Sequence, residues 1–174
     1  MTTLTVLMVC LGNICRSPTA EAALIEAASE AGLDLQVRSS GTGGWHVGAP
    51  PDPRMTEAAA QVGLHLDGEA AQVDASSLEQ ADIVFAMDRS NLRDLQRLAA
   101  AHDVSTPIQL FRDFDPQPGD GEVPDPYYGG PDGFAEVVAI CRRTALEVVR
   151  RIVDGELGDG TAVTASHDDV DRPS

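Results

Sequence analysis

The stretch Leu4-Thr5-Val6-Leu7-Met8-Val9-Cys10-Leu11-Gly12-Asn13-Ile14-Cys15-Arg16-Ser17-Pro18 changes character at Cys10. Residues 4–9 form a nearly continuous apolar run, the pattern of a strand buried on both faces in a parallel sheet. The run breaks into a loop of small residues that ends on Ser17-Pro18, a signal for the start of a helix. Such a loop joins a strand end to a helix N-terminus, where backbone N–H groups and the helix dipole attract anions. The Cys10 thiol at its first position and the Arg16 guanidinium at its seventh would face that cradle. This combination suits attack on a bound phosphate.

Outward from this loop, Thr19 to Ala31 reads as a helix capped by Ser17. Pro18 lies in its first turn, and Ala20, Ala23, Leu24, Ala27, Ala28 and Ala31 form one stripe. Leu33 to Ser40 is a second strand. It is followed by Gly41-Thr42-Gly43-Gly44-Trp45-His46-Val47-Gly48 and by Pro50, Pro51 and Pro53, a composition that excludes regular structure. Helices are expected over Asp52 to Gly63, Asp88 to Ala101 and Phe134 to Val153, and strands over Ile83 to Met87 and Ile108 to Phe111. Asp113 to Gly133, rich in Pro, Gly and Asp, reads as a long loop, which in a compact domain is usually functional or disordered. A functional loop is expected.

Strands alternating with helices predict an α/β layered sandwich around a parallel sheet with right-handed crossovers. Ligands in such sheets sit beyond the carboxyl ends of the strands, where the Cys10 loop emerges. The expectation is a single domain over residues 1–153. From Asp154 to Ser174, six Asp or Glu stand against one Arg, the composition of a disordered acidic tail.

The chain has 174 residues, 43% of them hydrophobic, enough for a core that needs no metal or disulfide staple. Its formal charge of −16 argues against duplex nucleic acid or an anionic membrane surface as a partner. Cys10, Cys15 and Cys141 make an odd count without a disulfide framework, and the N-terminus carries no signal-peptide pattern. A cytoplasmic location and a monomeric state are the expectations. His46, His65 and His102 lack metal-ligand spacing, so neither a metal nor another cofactor is expected. Cys141 lies on the apolar stripe of the last helix, as a core residue.

A thiol is a useful nucleophile only as the thiolate, which the helix N-terminus, the loop N–H groups, Arg16 and the Ser17 hydroxyl would all favour. The planar fork of Arg16 can hold two phosphoryl oxygens at once. Expulsion of an alkoxide or phenolate also requires a proton donor. In Val123-Pro124-Asp125-Pro126-Tyr127-Tyr128, two prolines restrict the backbone around Asp125 and make it a positioned carboxyl. Tyr127 and Tyr128 would either wall a pocket for a flat ring or pack the loop onto the core, and the same two readings hold for Trp45.

The Val9 to Pro18 pattern, together with Asp125-Pro126-Tyr127-Tyr128-Gly129, closely resembles the low-molecular-weight protein tyrosine phosphatases. The likeness extends to Ser40-Gly41, Trp45-His46-Val47-Gly48, Pro51-Asp52-Pro53-Arg54 and Met87-Asp88-Arg89-Ser90-Asn91-Leu92. The resemblance implies a three-layer sandwich with a four-stranded parallel sheet and hydrolysis of phosphotyrosine or small aryl phosphates, with inorganic phosphate as a product. It implies Cys10 as nucleophile, Arg16 as phosphate ligand and Asp125 as general acid and base. Substrate would be bound by Leu11, Gly12, Asn13, Ile14, Cys15 and Ser17 of the loop and by Trp45, Tyr127 and Tyr128 at the entrance. By the same analogy Asn13 braces the loop, Ser17 assists the leaving thiolate, and Cys10 and Cys15 can close a reversible disulfide that protects the nucleophile.

This chain departs from the family at Gly68, where many members carry a histidine that braces the loop. His65 is the nearest substitute in sequence. Arsenate reductases share the architecture but need further cysteines, which this chain lacks. Phosphoarginine phosphatases resemble it but tend to have threonine where Ile14 stands. A non-catalytic phosphopeptide-binding module would need neither Cys10 nor Asp125.

Overall fold

A computed structural model describes residues 3–127 and 130–157. The opening apolar run forms β1 (Leu4–Cys10), an inner strand of a four-stranded sheet with β2 (Leu35–Gly41), β3 (Ile83–Ala86) and β4 (Ile108–Leu110). The order is β2-β1-β3-β4 and every pairing is parallel, with Cys10 opposite Gly41 and Val9 opposite Ala86. The chain leaves β1 toward one neighbour and later returns to pair on its other side, so the loop after β1 opens at the switch point of the sheet.

Helices α1 (Arg16–Glu30), α2 (Pro53–Ala60) and α5 (Pro131–Val153) cover one face, where Val6, Met8 and Phe85 are buried. Helices α3 (Ala75–Gln80) and α4 (Arg89–Ala101) cover the other, over Leu7, Val9, Val84 and Ala86. Side chains alternate across the pleat, so an unbroken apolar run feeds both cores. The expected three-layer sandwich is what forms. Among the described residues, no helix is long and apolar enough to cross a membrane.

Several boundaries differ from the sequence expectation, each for a local reason. Helix α1 begins at Arg16 rather than Thr19, with Cys15 at the cap position and no side-chain cap. Ser17 therefore lies within the first turn, and its hydroxyl is used by the loop instead of by the helix end. Ala31 lies beyond the helix and is exposed. Helix α2 stops at Ala60, and its cap is Asp52, which accepts the Arg54 N–H. Helix α3 was not expected: it is short and buries only Leu78, so no apolar period announces it, although Asp74 and Ser77 form a capping box.

The segment after β4 is partly ordered by a 3-10 helix (Phe111–Phe114), whose two phenylalanines meet Phe85 edge-on at 5.5 Å. Leu157 is buried against the main core, so packing continues past Val153. Tyr128 and the expected tail from residue 158 onward lie outside the described residues.

Candidate active site

The end of β1 delivers Cys10 to the floor of a cavity of about 320 Å³. Cys10 is 2% exposed, and its sulfur accepts the Asn13 N–H at 3.2 Å and lies 3.1 Å from the Ser17 hydroxyl. The loop can curl this tightly because Asn13 adopts φ 58°, a left-handed conformation that asparagine tolerates better than most side chains. Gly41 at the end of β2 makes the second allowance. A Cβ there would stand 2.6 Å from the Leu11 carbonyl oxygen, so only glycine lets β2 pass beneath the loop. The first helical hydrogen bond runs from Thr19 N–H to the Cys15 carbonyl, leaving the N–H groups of Arg16 and Ser17 ahead of any intrahelical partner.

Arg16 is 3% exposed and held from two directions. Its Nη1 donates to Asp88 Oδ2 at 2.6 Å and to the Val123 carbonyl at 3.2 Å, while Nη2 lies 3.5 Å from Asp125 Oδ2. Asp88 also caps α4 by accepting the Asn91 N–H. Asp125 is 42% exposed at the cavity, and its Oδ1 accepts the Tyr127 N–H at 3.1 Å. A guanidinium, a carboxyl and a sulfur thus face one space, with Leu11, Gly12, Ile14, Cys15, Trp45, His46 and Tyr127 completing its lining.

Of the residues expected to contact substrate, Trp45 stands at the mouth, 73% exposed, and Tyr127 forms a wall 6.2 Å from His46 between ring centroids. Asn13 and Ser17 do not line the cavity but lie buried behind it. Their side chains belong to a hydrogen-bonded relay. Asn13 Nδ2 donates to Ser17 Oγ at 2.8 Å and to Ser39 Oγ at 3.1 Å, and Asn13 Oδ1 accepts the Ala71 N–H. Ser39 in turn gives its proton to Glu21 Oε1 at 2.6 Å. Ser17 Oγ accepts Asn13, donates to the Ser40 carbonyl at 3.4 Å and stands 3.1 Å from the Cys10 sulfur.

This relay shows how the loop is braced without a histidine at position 68. Gly68 has φ +92°, a backbone that glycine favours, and open space where a Cβ would stand. His65 does not substitute; it is 84% exposed and faces Asp67 at 3.9 Å. The Glu21 carboxylate closes the chain directly onto Ser39. Burial pushes the Glu21 carboxyl above its ordinary value, and the charge of Asp67 adds to this against the lowering effect of the Ser39 hydrogen bond.

Cys15, on the same curve as Cys10, has its thiol pushed up to about 12, first by burial and then by the carboxylate of Asp52. Cys141 is fully buried on α5, and burial pushes its thiol up as well. This is the core position expected from the apolar stripe of the helix.

Asp88, Glu21, Ser39 and His46 are site residues that sequence reasoning left without these roles. Asp88 carried one usable signal: an aspartate at a strand-to-helix junction, the same position in its βα unit that the Cys10 loop holds in the first. The roles of the others depend on which strands are neighbours.

These features define an α/β protein with a cysteine and an arginine on a strand-to-helix loop at the switch point of a parallel sheet. The profile of the family described as low molecular weight phosphotyrosine protein phosphatase matches residues 5–154. The chain belongs to that family, whose named members are phosphoric monoester hydrolases. A low molecular weight protein-tyrosine-phosphatase of Streptomyces coelicolor is 43% identical over 157 residues, covering 86% of this chain and 96% of that one. Among solved structures, a protein tyrosine phosphatase of Entamoeba histolytica with Hepes in its active site superposes with a TM-score of 0.84. It is 33% identical, over 89% of this chain and 100% of the other. A Drosophila arginine phosphatase is also similar, with a TM-score of 0.77 and 34% identity over 88% of this chain and 98% of its own.

Proposed function

We propose that this single-domain protein hydrolyses phosphotyrosine and related aryl phosphate monoesters through a Cys10-phosphate intermediate. The observation that carries this reading is the convergence of the Cys10 sulfur, the Arg16 fork and the Asp125 carboxyl on one cavity with an aromatic rim. The phosphoryl group replaces Asp125 as the partner of Arg16 Nη2, which leaves the carboxyl facing the ester oxygen. The Cys10 thiolate attacks phosphorus, the P–O bond to the aryl group breaks, and protonated Asp125 gives its proton to the departing phenolate. Arg16 and the loop N–H groups hold the equatorial oxygens as their charge develops. Asp125, now a carboxylate, takes a proton from the water that attacks the thiophosphate. The P–S bond breaks, the Ser17 hydroxyl donates to the leaving thiolate, and inorganic phosphate departs.

The rim of Trp45, His46 and Tyr127 gives a flat ring two kinds of surface, an exposed indole and a fixed phenol. Ile14, in the loop itself, supports an aryl ester over phosphoarginine. The test is turnover of p-nitrophenyl phosphate, phenyl phosphate, a phosphotyrosine peptide and phosphoarginine by the wild-type protein, Cys10→Ser and Asp125→Ala. Cys10→Ser should be inactive on all four. Asp125→Ala should lose about 10²- to 10⁴-fold on phenyl phosphate and far less on the nitrophenyl ester, whose leaving group needs no proton. Equal losses on the two esters would remove Asp125 from the acid role. A preference for phosphoarginine would transfer the substrate assignment to that class.

A further inference from the structure

Arg54 lies outside the cavity yet touches three of the parts that shape it. It sits in the first turn of α2, and its fork closes on Asp52, with Nε 3.2 Å from Oδ1 and Nη2 3.0 Å from Oδ2. Asp52 is 8% exposed and its N–H donates to the Ile14 carbonyl at 2.8 Å, so this pair is fastened to the underside of the Cys10 loop. On its other side the Arg54 guanidinium carbon lies 5.3 Å from the centre of the Tyr127 ring and 4.8 Å from that of Phe134, a buried residue of α5. Tyr127 lines the cavity and Arg54 does not, so the guanidinium stands behind the wall.

We propose that Arg54 is a positioning residue for the aromatic wall: it fixes the Tyr127 ring relative to the Cys10 loop and thereby sets the affinity for the aryl part of the substrate. The inference rests on the aryl phosphatase reading above. A planar cation bound to a carboxylate cannot slide, and a ring stacked on it inherits that fixed position. Through the Tyr127 N–H, which donates to Asp125, the same contact steadies the turn that presents the carboxyl. Arg54 reaches the phosphate-binding loop through Asp52 alone, whose hold on it is the backbone N–H to the Ile14 carbonyl, a bond that loss of the Arg54 side chain leaves in place. Its loss should therefore weaken aryl binding and spare phosphate binding.

Arg54→Met, Arg54→Lys, Tyr127→Leu and Arg54→Met/Tyr127→Leu are assayed for KM and kcat on phenyl phosphate and for competitive inhibition by inorganic phosphate. Arg54→Met should raise KM about 2- to 5-fold, the range of one solvent-exposed cation–π contact, and leave the phosphate inhibition constant unchanged. Arg54→Lys, which keeps the charge beside Asp52 but not the plane, should recover only part of the loss. In the Tyr127→Leu background, Arg54→Met should raise KM no further.

A parallel rise in the phosphate inhibition constant would overturn the inference, because Arg54 would then be acting on the anion. An undiminished effect in the Tyr127→Leu background, or an unchanged KM in both Arg54 variants, would do the same. If Arg54→Met fails to fold, the comparison of KM with phosphate inhibition in Arg54→Lys decides alone. Absence of turnover by the wild-type protein would instead refute the phosphatase reading, and the two failures are thus distinct.

Discussion

Replacing Asn13 by alanine removes three hydrogen bonds at once, of 2.8 Å to Ser17, 3.1 Å to Ser39 and 2.9 Å from the Ala71 N–H. At about 1 kcal/mol net for each, their loss costs about 3 kcal/mol. Alanine must also hold the φ of 58°, without asparagine's local compensation, for about 1 kcal/mol more. The expected destabilisation is about 4 kcal/mol, or a fall in Tm of roughly 8–16 °C for a domain of this size. Ser39→Ala breaks only the contacts to Asn13 and Glu21, and should cost about 1–2 kcal/mol. The Asn13–Ser39 bond is counted in both single variants, so the double variant should fall short of the sum by about 1 kcal/mol. Urea unfolding of the four proteins measures this cycle directly. On phenyl phosphate, Asn13→Ala should lower kcat about tenfold, since a Ser17 hydroxyl released from Asn13 forfeits roughly one hydrogen bond to the sulfur 3.1 Å away. Strict additivity of the two substitutions, or an Asn13→Ala cost under about 1 kcal/mol, would refute the relay as the brace of the loop.

Two further expectations concern charge. Asp115 has a fully buried side chain bonded to Arg112 and Arg143; Asp115→Asn should cost about 3–5 kcal/mol at pH 7. Burial works to raise its carboxyl, but the hydrogen bonds from Arg143, the Gln117 N–H and Arg112 outweigh it and hold the group below its ordinary value. A depressed carboxyl contributes stability above its unfolded value, about 3.9, and loses it as pH falls through the lower folded value. Melting curves of the two proteins should therefore converge below about pH 4, and a gap that stays constant would contradict the assignment. The second expectation concerns Cys15, whose thiol stands near 12. If the Cys15 thiolate attacks a Cys10 sulfenic acid and expels hydroxide, disulfide closure at saturating peroxide should quicken about tenfold per pH unit between about pH 7 and 9. Mass spectrometry of alkylated time points reads this, and a pH-independent rate would exclude Cys15 as the attacking thiol.

The parts of the site legible in the sequence are those whose partners are near in sequence. The Cys10 to Ser17 loop sits between an apolar run and a helix start, and Asp125 between two prolines, so local conformation announces both. Ser17 does not cap the helix that follows it, because its hydroxyl has other partners. A serine at a helix start is ordinarily used by the helix, but here Asn13 and Cys10 compete for its hydroxyl and win, leaving the helix end with no side-chain cap. Asp88 binds Arg16 across a separation of 72 residues, and Asn13 reaches Ala71 across 58. Those contacts exist because β3 and β2 flank β1, an order that no local period encodes. Glu21 was invisible for a related reason: it is an acidic residue on a helix, ordinary until β2 lays Ser39 against it.

The sheet order also explains how Asp125, the proposed proton donor, reaches Cys10 from so far along the chain. The Met87 carbonyl at the end of β3 accepts the Val123 N–H at 2.8 Å, and the Val123 carbonyl accepts Arg16 Nη1, two residues before Asp125. From the far side, Arg112 donates to the Glu122 carbonyl at 2.8 Å and is itself paired with buried Asp115. The long Pro- and Gly-rich segment is therefore pinned on both sides of Val123, and little free backbone separates the pin from the acid. One of its pins is the guanidinium that takes the phosphate in the proposed reaction. An Arg16 substitution accordingly disturbs the proposed phosphate ligand and the seat of the proposed acid together. Its kinetic cost is then a property of the pair, and no part of it belongs to phosphate binding alone.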